Sequence, residues 1–344
     1  MAVTILDIAK VSGKSYPTVS RALNDNPKIS LKTRKHIREI ADELGYRPSL
    51  AGKTLKSGKT NILSVIVPDL ADPFYSEFIS QFRRNGAQHG FDTVVYDYEL
   101  DPKHEQQCLE RILSGYCDGA VAFISGFAHT GEIVRKLWNA RIPLAAVGAP
   151  HEFDKGLKYD LITSKYEVSL SQILGIMKQQ KRKRVVFAAS KITDRAAVFL
   201  NRILKDKFQA AGFGFGVDNF VQLPKSFGNQ AEDGLQLGRK IFAESPEADV
   251  VIVWNSFQAY GLILAAREAG KRIPDDVAVV VRDNTWVSKY ATVPLFSIDQ
   301  RLDLMAQECF KRIAKRLESE QWEEPVRIEI DSETICPESL KNFK

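Results

Sequence analysis

The chain has only four cysteines, Cys108, Cys117, Cys309 and Cys336, and none stands in C-x-x-C spacing. That argues against a disulfide framework and against a thiol zinc site, and leaves them as core or surface thiols. Its five histidines (His36, His89, His104, His129, His151) are scattered through polar contexts, so neither a metal nor any other cofactor is expected. No run approaches the roughly eighteen apolar residues of a membrane span, and residues 1–10 read as a polar helix start rather than an export signal. The expectation is a cytoplasmic chain with no membrane partner. Glycine-rich phosphate loops are missing as well: no G-x-G-x-x-G follows a first strand, no G-x-x-x-x-G-K-[ST] occurs, and Gly212-Phe213-Gly214-Phe215-Gly216 lacks a strand-to-helix setting. An enzyme on an α/β scaffold is therefore disfavoured.

Positive charge, by contrast, is concentrated in one place. The net charge is +5, but residues 1–60 alone hold twelve Lys/Arg against five Asp/Glu, and the remaining chain is slightly acidic. A basic head on a neutral body is the distribution that phosphate binding requires. With 344 residues the chain is too long for one compact domain and suits a small head plus a two-lobed body.

Within the head, Thr4-Ile5-Leu6-Asp7 has the capping-box pattern and opens a short helix with Ile5, Ile8 and Ala9 inward. Gly13-Lys14 makes a turn. Ser15 then caps a second helix, Pro17 is tolerated in its first turn, and Val19 and Leu23 share a face, which leaves Tyr16, Pro17, Ser20, Arg21 and Asn24 pointing outward. Ser30 caps a third helix with Ile37, Ile40, Ala41 and Leu44 at helical spacing and Gly45 as its stop. Two short helices joined by a tight glycine turn are a helix-turn-helix.

The body begins at Asn61. Apolar runs at 62–67, 93–96, 119–123, 143–147, 184–188, 250–253, 277–281, 295–298 and 326–330 read as buried strands. Helical patterns at 74–89, 104–114, 168–179, 198–211, 230–244, 258–269 and 301–318 separate most of them. Alternation of this kind predicts an α/β fold of parallel sheets in two lobes, with a ligand at the carboxyl ends of the strands, in the crevice between the lobes. The run Lys181-Arg182-Lys183-Arg184 reads as a solvated loop near a helix end.

Thr4-Ile5-Leu6-Asp7-Ile8-Ala9, the stretch Ser15–Asn24, and Leu44-Gly45-Tyr46-Arg47-Pro48-Ser49 resemble the LacI family of bacterial transcription regulators, and the similarity continues through the chain. That resemblance implies a type I periplasmic-binding-protein-like body. It also implies a head at 1–47, a hinge at 48–60, a first lobe at 61–161 with 292–322, and a second lobe at 162–291 with 323–344. The hinge would become a helix on DNA, entering the minor groove with Leu55 as wedge and Lys53 and Lys56 beside it. The partner would be double-stranded operator DNA of near-palindromic sequence, bound by a homodimer or a higher assembly. Arg21 would grip a guanine edge and Tyr16 a base or phosphate, and Pro17 offers only apolar contact; Thr4, Ser15, Ser20, Asn24, Ser30 and Thr33 would donate to phosphates, with Thr18 and Lys28 completing the surface.

In the crevice the resemblance points to Phe74, Tyr75 and Phe123 on one lobe and to Asn255 and Asp283 on the other, with Arg195 nearby, around a sugar-like effector that controls repression. The sequence departs from the family there: Val281-Arg282-Asp283-Asn284 stands where Gly-Phe-Asp-Asp is usual, and the expected pocket arginine falls at Leu200. The alternatives are a non-sugar ligand, a protein corepressor, or a solute-binding protein.

Overall fold

The computed structural model describes residues 3–47, 58–124, 130–148, 156, 158–190, 194–216, 219–224 and 229–337, with the backbone alone over 194–201. The chain forms two compact units, residues 1–60 and 61–344.

The first unit holds helices α1 (Ile5–Ser12), α2 (Tyr16–Leu23) and α3 (Leu31–Glu43) around one small core. The Asp7 carboxylate accepts from the Thr4 backbone N–H at 2.8 Å and the Thr4 hydroxyl at 2.7 Å, which ties down the start of α1. Gly13 ends that helix in the left-handed region, at φ 64°. Ser30 Oγ accepts from the Thr33 N–H at 3.2 Å and caps α3. Ile8, Val19, Ala22, Ile37, Ile40 and Ala41 are buried together. Ala22 rather than Leu23 takes the innermost place on α2, and Leu23 is half-buried.

The second unit contains two six-stranded sheets. In chain order the strands of the first are β1 (Ile62–Val67), β2 (Asp92–Asp97), β3 (Gly119–Ala122), β4 (Leu144–Val147) and β5 (Asp160–Lys165). Those of the second are β6 (Val185–Ala189), β7 (Phe220–Gln222), β8 (Val250–Val253), β9 (Ala278–Val281) and β10 (Phe296–Asp299). Then β11 (Arg327–Asp331) returns to the first sheet beside β5, and β12 (Glu333–Ile335) to the second beside β10. All pairings are parallel except β10–β12.

Helices α4 (Pro73–Gln88), α5 (Pro102–Leu113), α6 (Thr130–Asn139) and, far along the chain, α12 (Leu302–Glu318) cover the first sheet. The second carries α7 (Tyr166–Gln179), α8 (Asp194–Ala210), α9 (Gln230–Glu244), α10 (Ser256–Glu268) and the short α11 (Trp286–Lys289). Strand residues alternate between faces: Leu63, Val65 and Val67 pack under α4 and α12, while Ile66 faces α5 and α6. Helices α9 and α10 cross at near backbone contact, where a Cβ on Gly261 would lie 1.9 Å from the Ala231 carbonyl oxygen.

The lobe boundaries drawn from the sequence shift. Residues 160–165 form one strand of the first sheet, so the crossing follows Lys165 and does not fall at 161. Phe296–Asp299 pairs with β9, which assigns the strand expected in the first lobe to the second. Residues 327–331 pair with β5 and belong to the first lobe. Strand partners are set by long-range register, which apolar runs alone do not encode. The described residues also contain strands β5, β7 and β12 and the one-turn α11, none of which has a strong apolar pattern, and helix α6, whose Ile133, Val134 and Leu137 form a short inward face that the sequence reading passed over.

Candidate functional site

In the head, the fully buried Val19 and Ala22 turn the opposite face of α2 to solvent. Tyr16, Pro17, Arg21 and Asn24 are exposed and Thr18 and Ser20 half-buried. The Arg21 carbonyl accepts from the Asn26 N–H at 3.0 Å, while its side chain makes no hydrogen bond or ion pair to a described residue, so the guanidinium is available. Asn24 instead donates to the Ser20 carbonyl at 2.6 Å, and the hydroxyls of Ser15 and Thr18 (2.9 Å) and of Ser30 and Thr33 (2.8 Å) pair with each other. These local bonds hold the polar side chains in place at the helix N-termini, and each hydroxyl keeps acceptor or donor capacity for a phosphate. Asp25, bound by Arg34 and Arg38, neutralises part of α3. Thr4 and Lys28 are exposed. Lys53, Leu55 and Lys56 lie outside the described residues.

In the body, the carboxyl ends of the strands of both lobes converge on a crevice. Asp72 accepts from the Phe74 N–H at 2.9 Å as the N-cap of α4, and its other oxygen accepts from Asn255 Nδ2 at 2.8 Å across the lobes. Asn255 Oδ1 in turn accepts from the Gln258 N–H at 2.9 Å, capping α10. A second link joins the lobes where the Trp286 N–H donates to Glu77 Oε1 at 2.6 Å. Asp283, 2 % exposed, accepts from the Ser256 N–H at 2.9 Å and from the Ser256 hydroxyl, which also contacts Thr285 Oγ1 at 2.8 Å. The expected mouth residue is thus buried, and Asn255 and Asp283 serve as caps as well as wall.

Burial pushes the Asp283 carboxyl up to about 7, with donors from Ser256 and Thr285 opposing and the charge of Asp72 adding to the rise. Burial also carries Asp72 up to about 6 against the donors Phe74 N–H and Asn255. Phe74, Tyr75 and Phe123 meet edge to face on the first lobe, with Tyr75 and Phe123 centroids 4.9 Å apart. A cavity of about 190 Å³ opens beside them, lined by Phe74, Glu77, Asp283, Asn284, Lys289 and the crossover residues 299–301. Arg195 lies in α8, but its side chain is outside the described residues.

Sequence reasoning missed Asp72, Glu77 and Trp286. The Asp72-Pro73 pair was a readable N-cap signal; Glu77 and Trp286 carried none. Among the described residues no group of His, Cys, Asp and Glu is arranged to hold a metal, and no helix is long and apolar enough to cross a membrane.

A three-helix reading head joined to a two-lobed, crevice-bearing body defines a regulator whose DNA-binding and sensing parts share one chain. The head belongs to the LacI family, and the chain is a DNA-binding transcriptional regulator. The sequence model "Bacterial regulatory proteins, lacI family" matches residues 4–49, and "Periplasmic binding protein-like domain" matches residues 177–336. Catabolite control protein A of Staphylococcus xylosus is 25% identical over 329 residues, covering 94% of this chain and 95% of that protein. The HTH-type transcriptional regulator DegA of Bacillus subtilis is 26% identical over 318 residues, covering 90% and 89%. Among solved structures, the lac repressor dimer bound to operator and an anti-inducer superposes with TM-score 0.82 at 18% identity over 98% of both chains. A complex of the transcriptional regulator CelR with cellobiose gives 0.69 at 21% identity, over 98% of this chain and 99% of that one.

Proposed function

We propose that the protein is a cytoplasmic repressor that binds a near-palindromic operator as a homodimer and is controlled by a small polyhydroxylated effector held between the lobes. The outward face of α2 carries the reading: Arg21 and Tyr16 stand in solvent on a helix whose opposite face is fully buried, within a head of strong positive charge. Arg21 then supplies a bidentate donor to a guanine, the hydroxyls of Thr4, Ser15, Thr18, Ser20, Ser30 and Thr33 and the amide of Asn24 set register on phosphates, and Lys28 adds charge. Lys53, Leu55 and Lys56 of the hinge engage the minor groove. In the body, Asn255 and Asp283 contact the effector from one lobe and Phe74, Tyr75 and Phe123 from the other, with Arg195 beside them. The effector acts by its unequal affinity for the two lobe arrangements, competing with the Asn255–Asp72 link.

The test is selection of binding sites from random DNA. A near-palindrome is expected, with Arg21→Ala weakening it by about 1–3 kcal/mol and relaxing preference at one base position. Preference at the Pro17 position should be weaker than at the Arg21 position, because proline offers no side-chain donor or acceptor. Recovery of no common sequence would defeat the reading.

A further inference from the structure

Arg282 lies just past the end of β9, where its guanidinium carbon sits 4.2 Å from the Trp254 ring centroid and 4.7 Å from that of Tyr166. Trp254 follows β8 and Tyr166 opens α7, so two second-lobe elements bring rings against this cation. Tyr75, from the first lobe, is near enough to feel its charge. Its backbone is fixed as well: the Arg282 N–H donates to the Val253 carbonyl at 3.3 Å, and its own carbonyl accepts from Gln300 Nε2 at 2.6 Å.

Asp283 lies close enough to act on its charge, but no carboxylate among the described residues bonds to it. The guanidinium makes no hydrogen bond or ion pair to a described residue, and its Nε is buried without a partner. The adjacent Asp283 spends its oxygens on Ser256, and Asp72 spends its own on Phe74 and Asn255. Stacking on aromatic faces offsets part of the cost of burying a cation, but it does nothing for N–H groups that radiate in the guanidinium plane. Donation runs along the N–H directions in that plane, which is how arginine grips a planar or tetrahedral oxyanion.

We propose that Arg282 is an oxyanion-binding residue of the crevice, so that the effector is a small polyhydroxylated acid, carrying either a carboxylate or a phosphate, rather than a neutral sugar. This inference rests on the reading of the crevice as the effector site.

The test uses the full chain and matched probes: neutral hexoses, the corresponding hexuronates, and the corresponding hexose phosphates, followed by thermal shift and calorimetry. Within at least one matched set the acid or the phosphate should bind at least about tenfold more tightly than its neutral parent. Whichever anion wins identifies carboxylate or phosphate. Arg282→Met should weaken that anion by a similar factor, and Arg282→Lys should recover part of the loss by restoring charge without the fork. Neutral hexoses binding as tightly as their acids in the unsubstituted chain would overturn the inference even if the variants fail to fold. If such a neutral ligand also loses affinity in Asn255→Ala but not in Arg282→Met, the crevice reading survives while the oxyanion inference does not. Unchanged anion affinity in Arg282→Met would overturn it too. Binding of no probe, neutral or anionic, at millimolar concentration would overturn both.

Discussion

Two arginines in this body each lie against two aromatic rings, and their surroundings differ in one respect. Arg316, on α12, lies 4.8 Å from the Trp138 centroid and 5.1 Å from that of Trp322, and it grips Asp160 through Nε at 2.7 Å and Nη2 at 2.8 Å. Arg312 and the Val326 N–H complete the shell around that carboxylate. Arg282 has the rings but no carboxylate bonded to it among the described residues, Asp283 acting on it only through charge. The first arrangement is closed and ties α12 to β5 and the segment entering β11; the second leaves a half-buried cation whose Nε is buried without a partner at the crevice. An aromatic clamp on its own therefore does not distinguish scaffold from site. The presence of a bonded counter-charge does.

Breaking each clamp should separate the two most sharply. Arg316→Met leaves the buried Asp160 with only Arg312 and the Val326 N–H and should cost about 3–5 kcal/mol of body stability in denaturant unfolding, whereas Arg282→Met removes a cation with no bonded acid and should lie within about 1 kcal/mol of the parent. Equal losses at both positions would erase the distinction. Replacing both partners, Arg316→Met with Asp160→Leu, should recover most of the loss, because the isolated buried charge is gone.

Acid and base should act oppositely on the two regions. Burial works against the ionised Asp160, but its bonds to Arg316, Val326 N–H and Arg312 win and hold it below the usual carboxylate range, so its contribution is present at neutral pH and fades as pH falls below about 4. Asp283 is raised to about 7, so its contribution is greatest below its ordinary value of 3.8 and is lost as pH climbs through 7. Between pH 5 and 8 the melting temperature of the parent should therefore fall relative to that of Asp283→Asn, in which nothing at 283 ionises. A constant gap between the two across that range would show that Asp283 does not titrate there. Smallest of all should be Ser30→Ala, expected to cost the head about 1 kcal/mol and the crevice nothing.

The same contrast marks what the sequence could disclose. The head was readable because its determinants are local: the Thr4–Asp7 cap, the glycine turns at 13 and 45, and the inward-facing Ile8, Val19, Ile37 and Ile40 each show within a single short helix or turn. Strongly apolar strands such as β1 and β8 were readable for the same reason. Strand β5, Asp160-Leu161-Ile162-Thr163-Ser164-Lys165, was not, since four of its six residues are polar and its burial comes from neighbours β4 and β11. The aromatic trio was anticipated from one loop and one strand end. The cross-lobe link from Asn255 to Asp72 spans 183 positions, and no local pattern announces it. Arg282 stood out only as a departure from Gly-Phe-Asp-Asp; the rings that clamp it come from positions 166 and 254.

The return of the chain to the first lobe has a consequence for synthesis. Met305, Ala306, Cys309, Phe310 and Ile313 of α12 fill the core beneath β1 and β3, and β11 covers the free edge of β5. A ribosome that has emitted residues 1–300 has therefore supplied the head and nearly all of the second lobe, but a first lobe with an open core and a bare edge. The lobe begun first is finished last. During that interval the growing chain offers an unpaired strand and uncovered apolar side chains, the features by which chaperones and stray chains find a nascent protein.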